Sequence, residues 1–350
     1  WAGRMDDADM ALASLENGDW DIISLGRPLL AEPDYVNKLR AGRRDEIRPC
    51  ISCHEGCMGR IQEYSMINCA VNPQAARERV TAYEPILKAK KVMIVGGGVA
   101  GCEAARVLAL RGHKPALFEK GAQLGGNLLP GGAPEFKEDD IALAKWYGVQ
   151  LQKLNVPVQL NHEVTAKEAL NGGYDTVIVA TGSTPKVFSL GDDAHTFTAA
   201  EVLLGQKDCG ERTVVIGGGL VGCETALWLA QHGRKVTIVE ALDKILAVNG
   251  PLCHANKDML EELIPYNGIE VVTGAKAKGY HGGVLSVECA DGGKDIVCDS
   301  VILSVGYKEE DSLYHELEFK VPEIYLLGDA KKVSNIMYAI WDAFEVVNHI

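Results

Sequence analysis

Four of the chain's ten cysteines fall within twenty residues, in the run Cys50-x2-Cys53-x3-Cys57-x11-Cys69. Turns at that spacing can gather four thiolates around one small inorganic centre, and a tight triplet followed by a distant fourth thiol has the pattern of an iron–sulfur ligand set. Structural zinc is the competing reading, but zinc ribbons show two closely spaced cysteine knuckles and here the second pair is stretched to eleven residues. Disulfides fit less well, because the nucleotide motifs further along are those of intracellular enzymes, whose thiols stay reduced. The expectation is a [4Fe-4S] centre on Cys50, Cys53, Cys57 and Cys69. His54 lies inside the loop, but four thiolates complete the set without it, and it reads as a loop surface residue. Cys102 and Cys223 each follow a glycine motif and read as small apolar fillers of buried helix faces.

A second kind of chemistry is written in glycine. Residues 91 to 95, KVMIV, read as a short buried strand, followed by Gly96-Gly97-Gly98-Val99-Ala100-Gly101, a helical stretch to Arg111, Gly112, and a second strand ending in Glu119. In such a unit Gly96 makes the tight turn, Gly98 admits a pyrophosphate against the helix N-terminus, and Gly101 lets helix and strand pack closely. Glu119, eighteen residues after Gly101, can accept from ribose hydroxyls. One such motif is weak evidence by itself. Here TVVIGGGLVGCETALWLAQHGRKVTIVE repeats the whole unit, with Gly217, Gly219, Gly222 and Glu240 each 121 residues after its counterpart. Two glycine-rich turns would explain neither acid, so two dinucleotide sites are expected. Glu240 can bond a free 2′-hydroxyl and would repel a 2′-phosphate, which favours NADH over NADPH, although Arg234 and Lys244 stand nearby.

Two further segments, YDTVIVATGS (174–183) and EIYLLGDA (323–330), place apolar strands before Ala180-Thr181-Gly182 and before Gly328-Asp329. With them the chain resembles the two-dinucleotide-binding flavoprotein reductases. That resemblance implies FAD at the first unit, held by Gly96, Gly98, Ala100, Gly101, Glu119, Gly126, Asn127, Val164, Thr181, Gly182, Gly328 and Asp329. It implies NAD at Gly217, Gly219, Gly222 and Glu240. The FAD domain is then split, 86–205 plus 306–350, around an NAD(P) domain at 206–305. The redox cysteine pair of the disulfide branches is missing from LGGNLLPGG and from the stretch after Glu240. Thiol–disulfide exchange is therefore disfavoured, and the Cys50 to Cys69 centre is the acceptor that remains.

The first fifty residues cannot bury a core alone. They read as a turn, a helix around Ala8 to Asn17, an apolar strand DIISLG and another helix, and they resemble the last repeats of an old yellow enzyme-type (β/α)8 barrel, whose final loops hold the FMN phosphate. By that match Gly3 and Arg4 end strand 7, and Gly26 and Arg27 end strand 8. Residues 1–48 are then a barrel remnant and 49–85 an iron–sulfur segment. In this order, with CAVNP after the fourth cysteine, the chain resembles the C-terminal portion of the 2,4-dienoyl-CoA reductase, 2-enoate reductase and trimethylamine dehydrogenase family. The resemblance implies a fragment: six barrel strands, with the substrate and FMN-ring residues and hence the catalytic ones, lie outside it. It implies a relay from NADH through FAD and [4Fe-4S] to FMN, reducing an activated C=C bond of an enoate, enoyl-CoA or enone. An amine dehydrogenase with outward electron flow and ADP at the first site, and a non-catalytic nucleotide-binding or zinc-stabilised module, are the alternatives.

The elements that position these residues are those of an α/β protein with two Rossmann-like domains. At 350 residues, 47% hydrophobic and 24% charged, the chain is an ordinary globular one with room for two or three domains. Its 38 glycines cluster where backbone must approach something. A net charge of −13 without a basic stripe excludes nucleic acid and anionic membrane as expected partners, and no apolar run reaches membrane-spanning length. The expected partners are the nicotinamide cofactor and a small unsaturated substrate in the cytoplasm; a homo-oligomer is compatible with all of this.

Overall fold

The structure, a computed structural model, describes residues 3, 5–83, 86–247 and 252–350. Two five-stranded parallel sheets dominate it. In the first the strands lie in the spatial order Ile324–Leu326, Thr176–Val179, Lys91–Val95, Lys114–Phe118, Val158–Gln159; in the second the order is Thr196–Thr198, Ser300–Leu303, Arg212–Ile216, Lys235–Val239, Glu270–Val272. In both, the strand that feeds the glycine turn lies between the acid-bearing strand and the strand that precedes the crossover. Parallel sheets covered by helices on both faces need near-continuous apolar strands, and Lys91–Val95 and Arg212–Ile216 are each exposed at the first residue and buried at the next four.

The helix Val99–Arg111 shows how the sequence closes such a unit. Gly98 is its N-cap, and Gly112 takes φ +95°, which lets the His113 N–H reach back to the Leu108 carbonyl at 2.9 Å. The C-terminal helix Ile336–Val347 packs on Val99–Arg111 and completes the first unit from the far end of the chain.

A two-stranded antiparallel ladder, Ser183–Pro185 with Tyr307–Glu309, carries the chain out of the first unit and back. The boundary expected at 205 needs correcting: Thr196–Thr198 pairs with Ser300–Leu303 in the second sheet, so the inserted unit begins about ten residues earlier. A three-stranded antiparallel meander, Lys276–His281, Val284–Cys289 and Gly292–Val297, also belongs to the insertion. Its first turn is Gly282-Gly283, both at positive φ, as a two-residue hairpin loop of matching twist requires.

The N-terminal region forms the expected helix at Ala8–Glu16, then short helices at Arg27–Ala31 and Tyr35–Arg40. The strand expected at DIISLG is reduced to a single bridged position at Ser24 in an otherwise extended segment, and it joins neither five-stranded sheet. Ala31, Ile51 and Val71 share one apolar core with the first nucleotide unit. The cysteine segment is therefore packed onto that unit, and among the described residues it forms no separate core.

Candidate functional site

The first glycine turn is shaped by backbone contact. Gly96 sits at φ +109°, and a Cβ there would overlap the Ala180 carbonyl; a Cβ on Gly101 would overlap the Gly96 carbonyl. Gly98 faces open space instead, where a ligand's pyrophosphate has room. Glu119 does more than the sequence suggests: Oε2 accepts from the Gly97 N–H and Oε1 from the Gly121 N–H, both at 2.6 Å, so the acid also braces the glycine turn. Each carboxylate oxygen keeps a lone pair for a ribose hydroxyl. Gly96, Glu119, Val164, Thr181 and Glu310 open onto one cleft of about 390 Å³. That volume falls within the range of cofactor sites.

Across the strand ends, Asn127 Nδ2 donates to Ser183 Oγ at 3.2 Å, and Ser183 Oγ donates to Asp329 Oδ2 at 2.9 Å. Asp329 also accepts from the Ser334 N–H at 3.1 Å, and burial holds its carboxyl above the usual aspartate range. Gly328 takes φ +59°, close against Ala100, and Gly126 sits at φ +53° beside the Gly98 backbone. Thr181 Oγ1 donates to the Glu310 carbonyl, and Gly182, at φ +74°, accepts from the Glu310 N–H at 3.0 Å. Twelve expected residues thus gather at the strand ends of one sheet. Ser183 joins them; it is the serine that follows the ATG turn, and it was readable from that position.

The second unit repeats the device. Gly217 would overlap the Ser304 carbonyl if it carried a Cβ, and Gly222 the Gly217 carbonyl. Glu240 accepts from the Gly218 N–H at 2.6 Å and the Leu242 N–H at 2.7 Å. Gly219 caps the helix Leu220–Gln231. Cys102 and Cys223 are buried and donate to the Gly97 and Gly218 carbonyls at 3.3 and 3.4 Å, fillers that also tie each turn to its helix.

Cys50, Cys53, Cys57 and Cys69 line a single cavity, with Arg27 and His54 beside them. The loop is bent by Ser52 at φ +53° and His54 at φ +59°, and it runs into a π-helical turn over Glu55–Gly59. Gly56 has no room for a side chain, since a Cβ would stand 2.9 Å from the Ala70 nitrogen. Both nucleotide units grip the loop. Trp341 Nε1 of the C-terminal helix donates to the Cys69 carbonyl at 3.0 Å, and Asn256 Nδ2 of the inserted unit donates to the Cys53 carbonyl at 3.1 Å.

Burial pushes the Cys69 thiol up to about 11, and pushes Cys50 and Cys53 above the ordinary thiol range as well. Near neutral pH such thiols keep their protons, and a bound cation would displace them. Among the described residues no three His, Cys, Asp or Glu side chains converge as a single metal ion needs. Four thiols on one cavity are a donor set that either a polynuclear iron–sulfur centre or a zinc ion would take.

His54 is the residue the sequence reading misjudged. It is half-buried on the cysteine cavity, its Nε2 2.7 Å from Arg27 Nη1. Of the residues expected at an FMN phosphate, Gly3 and Gly26 lie in open space, one guanidinium nitrogen of Arg27 contacts His54, and Arg4 lies outside the described residues. Among the described residues no helix is long and apolar enough to cross a membrane.

Comparison with known proteins agrees with this geometry. A profile described as pyridine nucleotide-disulphide oxidoreductase matches residues 90–343. Over its whole length the chain is 48% identical to a cinnamate reductase of Clostridium sporogenes, covering 52% of that protein. It is 34% identical to a bilirubin reductase of Mediterraneibacter gnavus, covering 99% of this chain and 54% of the relative. The structure of a 2-naphthoyl-CoA reductase superposes with a TM-score of 0.93 at 28% identity, over all of this chain and 53% of that one. The chain spans about half the length of the curated relatives it matches.

Proposed function

Since the chain belongs to the pyridine nucleotide-disulphide oxidoreductase family, and within it to the 2-enoate reductase and trimethylamine dehydrogenase group, we propose that it is the electron-input half of an NADH-dependent reductase of activated C=C bonds. Enoates, enoyl-CoA thioesters and enones are the substrate class; cinnamate, named for one similar protein, is an enoate, and naphthoyl-CoA, named for another, is a thioester conjugated to an aromatic ring. The observation that carries the reading is the placement of the four-cysteine loop, hydrogen-bonded to the first unit through Trp341 and to the second through Asn256. An inert zinc knuckle has no need of both grips.

In this reading Gly217, Gly219, Gly222 and Glu240 hold NADH, and the first unit with Ser183 and Asp329 holds FAD. The four cysteines hold a [4Fe-4S] centre, and the Gly26–Arg27 backbone with Gly3 and Arg4 takes an FMN phosphate. When bound, these groups supply two-electron uptake from NADH and single-electron delivery toward FMN and the substrate. The chain's own part is positional. Glu119 and Glu240 brace the two turns and accept ribose hydroxyls, Asp329 and Asn127 orient Ser183, and the apolar wall of the cysteine cavity, including Leu30 and Val71, keeps water off its thiols.

The test is a visible spectrum of the anaerobically purified full-length protein, with flavin and iron extracted and quantified, before and after one equivalent of NADH. FMN and FAD together, about four iron atoms per chain as a [4Fe-4S] centre requires, and bleaching by NADH are expected. FMN with ADP and no response to NADH would make it an amine-dehydrogenase-like enzyme instead, and a colourless protein would remove both readings.

A further inference from the structure

The Arg27–His54 contact fixes a proton. Arginine has only donors, so at 2.7 Å His54 Nε2 must be the acceptor, and the neutral ring then carries its hydrogen on Nδ1. That nitrogen is buried and has no hydrogen-bond partner. An orphaned buried N–H is costly, and this one is on a ring that lines the same cavity as Cys50, Cys53, Cys57 and Cys69. The Asn256 carboxamide, whose N–H goes to the Cys53 carbonyl, also draws on the ring, but its oxygen does not reach hydrogen-bond geometry with Nδ1. The acceptors missing around Nδ1 are the ones that a four-cysteine centre would bring, its thiolate or sulfide sulfurs.

The geometry points to His54 as a redox-positioning residue: its Nδ1–H donates to a sulfur of the centre held by the four cysteines, and Arg27 selects the tautomer that makes this bond available. The inference rests on the reading of that loop as an iron–sulfur site. When the centre gains one electron from a reductant, negative charge builds on its sulfurs, the hydrogen bond strengthens, and the reduced state is favoured. The histidine therefore raises the midpoint potential. It remains neutral throughout and takes no proton in the step.

The experiment uses the full-length protein, reduced with dithionite in the presence of mediators and followed by electron paramagnetic resonance. H54F, with iron content at the wild-type level, should lower the reduction equilibrium constant three- to tenfold, at most about 59 mV for a one-electron couple. H54Q, which keeps an N–H donor, should recover part of the shift. In wild-type protein labelled with 15N-histidine, the reduced centre should show coupling to one histidine nitrogen, which H54F abolishes. An unchanged midpoint in iron-replete H54F would overturn the proposal and give the Nδ1–H to Asn256. If H54F loses its iron, R27M and the labelled wild type decide: no potential shift in R27M, or no histidine coupling, sinks it. Wild-type protein that contains no iron would sink the iron–sulfur reading itself, a separate failure.

Discussion

Gly101 and Gly222 occupy matching places, and in each the missing Cβ is replaced by the carbonyl of the glycine that starts the turn. A methyl group cannot be accommodated without pushing helix from strand, which moves the whole phosphate cradle. The two substitutions should nevertheless differ in consequence if, as proposed, the first unit holds FAD and the second NADH. G101A should purify with little or no FAD, seen as loss of flavin absorbance in the extract. G222A should keep its FAD and lose at least tenfold in affinity for NADH, about 1.4 kcal/mol, measured by titrating flavin bleaching. If both variants lost the same cofactor, the assignment of the units would be wrong. These glycines were legible because a turn that must touch backbone admits one residue type. The second task of Glu119 and Glu240, bracing the turn by accepting its backbone N–H groups, was not, since a carboxylate's spacing in sequence says nothing of which donors fold back to meet it.

At the scale of elements, the helix Val99–Arg111 carries a pair that sequence reads as a surface contact. Glu103 and Arg106 stand three apart, the spacing of an ordinary exposed helix pair, yet both are buried, bonded at 2.7 and 2.8 Å, and joined by the Tyr147 and Tyr83 hydroxyls at 3.2 and 3.1 Å. The packing of Glu138–Lys153 and of Tyr83 against the pair helps to bury it, and neither is local in sequence. E103A would leave the Arg106 charge uncompensated, and unfolding followed by denaturant should show a loss of about 3–5 kcal/mol. A loss under 1 kcal/mol would mean that water reaches the pair. The repeat places Glu224 where Glu103 stands in the first unit, but Glu224 pairs across the units with Lys137 at 3.2 Å. Asp140 lies 3.8 Å from the same lysine.

Burial holds the Asp140 carboxyl up at about 6, against the pull of Lys137 and with Glu224 and Asp139 adding to the rise. A folded pKa above the unfolded one means that the native state favours the protonated form. The stability this gives is full below about pH 4 and is lost as pH climbs through 6. D140N should therefore match the wild type near pH 4 and become more stable by on the order of 1–3 kcal/mol at pH 7, by denaturant titration at each pH. A difference that does not vary with pH would refute the assignment.

The architecture of the whole molecule was legible because it is a duplication: a strand, glycine turn, helix and acid-ended strand written twice at one offset can hardly fold in two different ways. The junctions were less so. The inserted unit begins near Thr196 because a short edge strand pairs there with Ser300–Leu303, a partner about a hundred residues away. The grip on the cysteine loop by Trp341 and Asn256 joins residues separated by 272 and 203 positions. Those junctions decide how the parts depend on each other. The second unit keeps its own apolar cores, built on residues such as Val215, Leu227 and Leu285, apart from the core that the cysteine segment shares with the first unit. Removing a cysteine ligand should therefore break the route to the organic substrate without dismantling NADH binding. In the full-length protein, C53S should lose most of its iron and at least a hundredfold of its C=C reduction, while NADH-driven reduction of a soluble dye falls by no more than about threefold, under 1 kcal/mol in barrier. Retained C=C reduction in an iron-free variant would show that electrons bypass the loop. Parallel loss of dye reduction would show that the Asn256 grip transmits the defect to the nicotinamide unit, and N256A, with its cysteines intact, would then reproduce it.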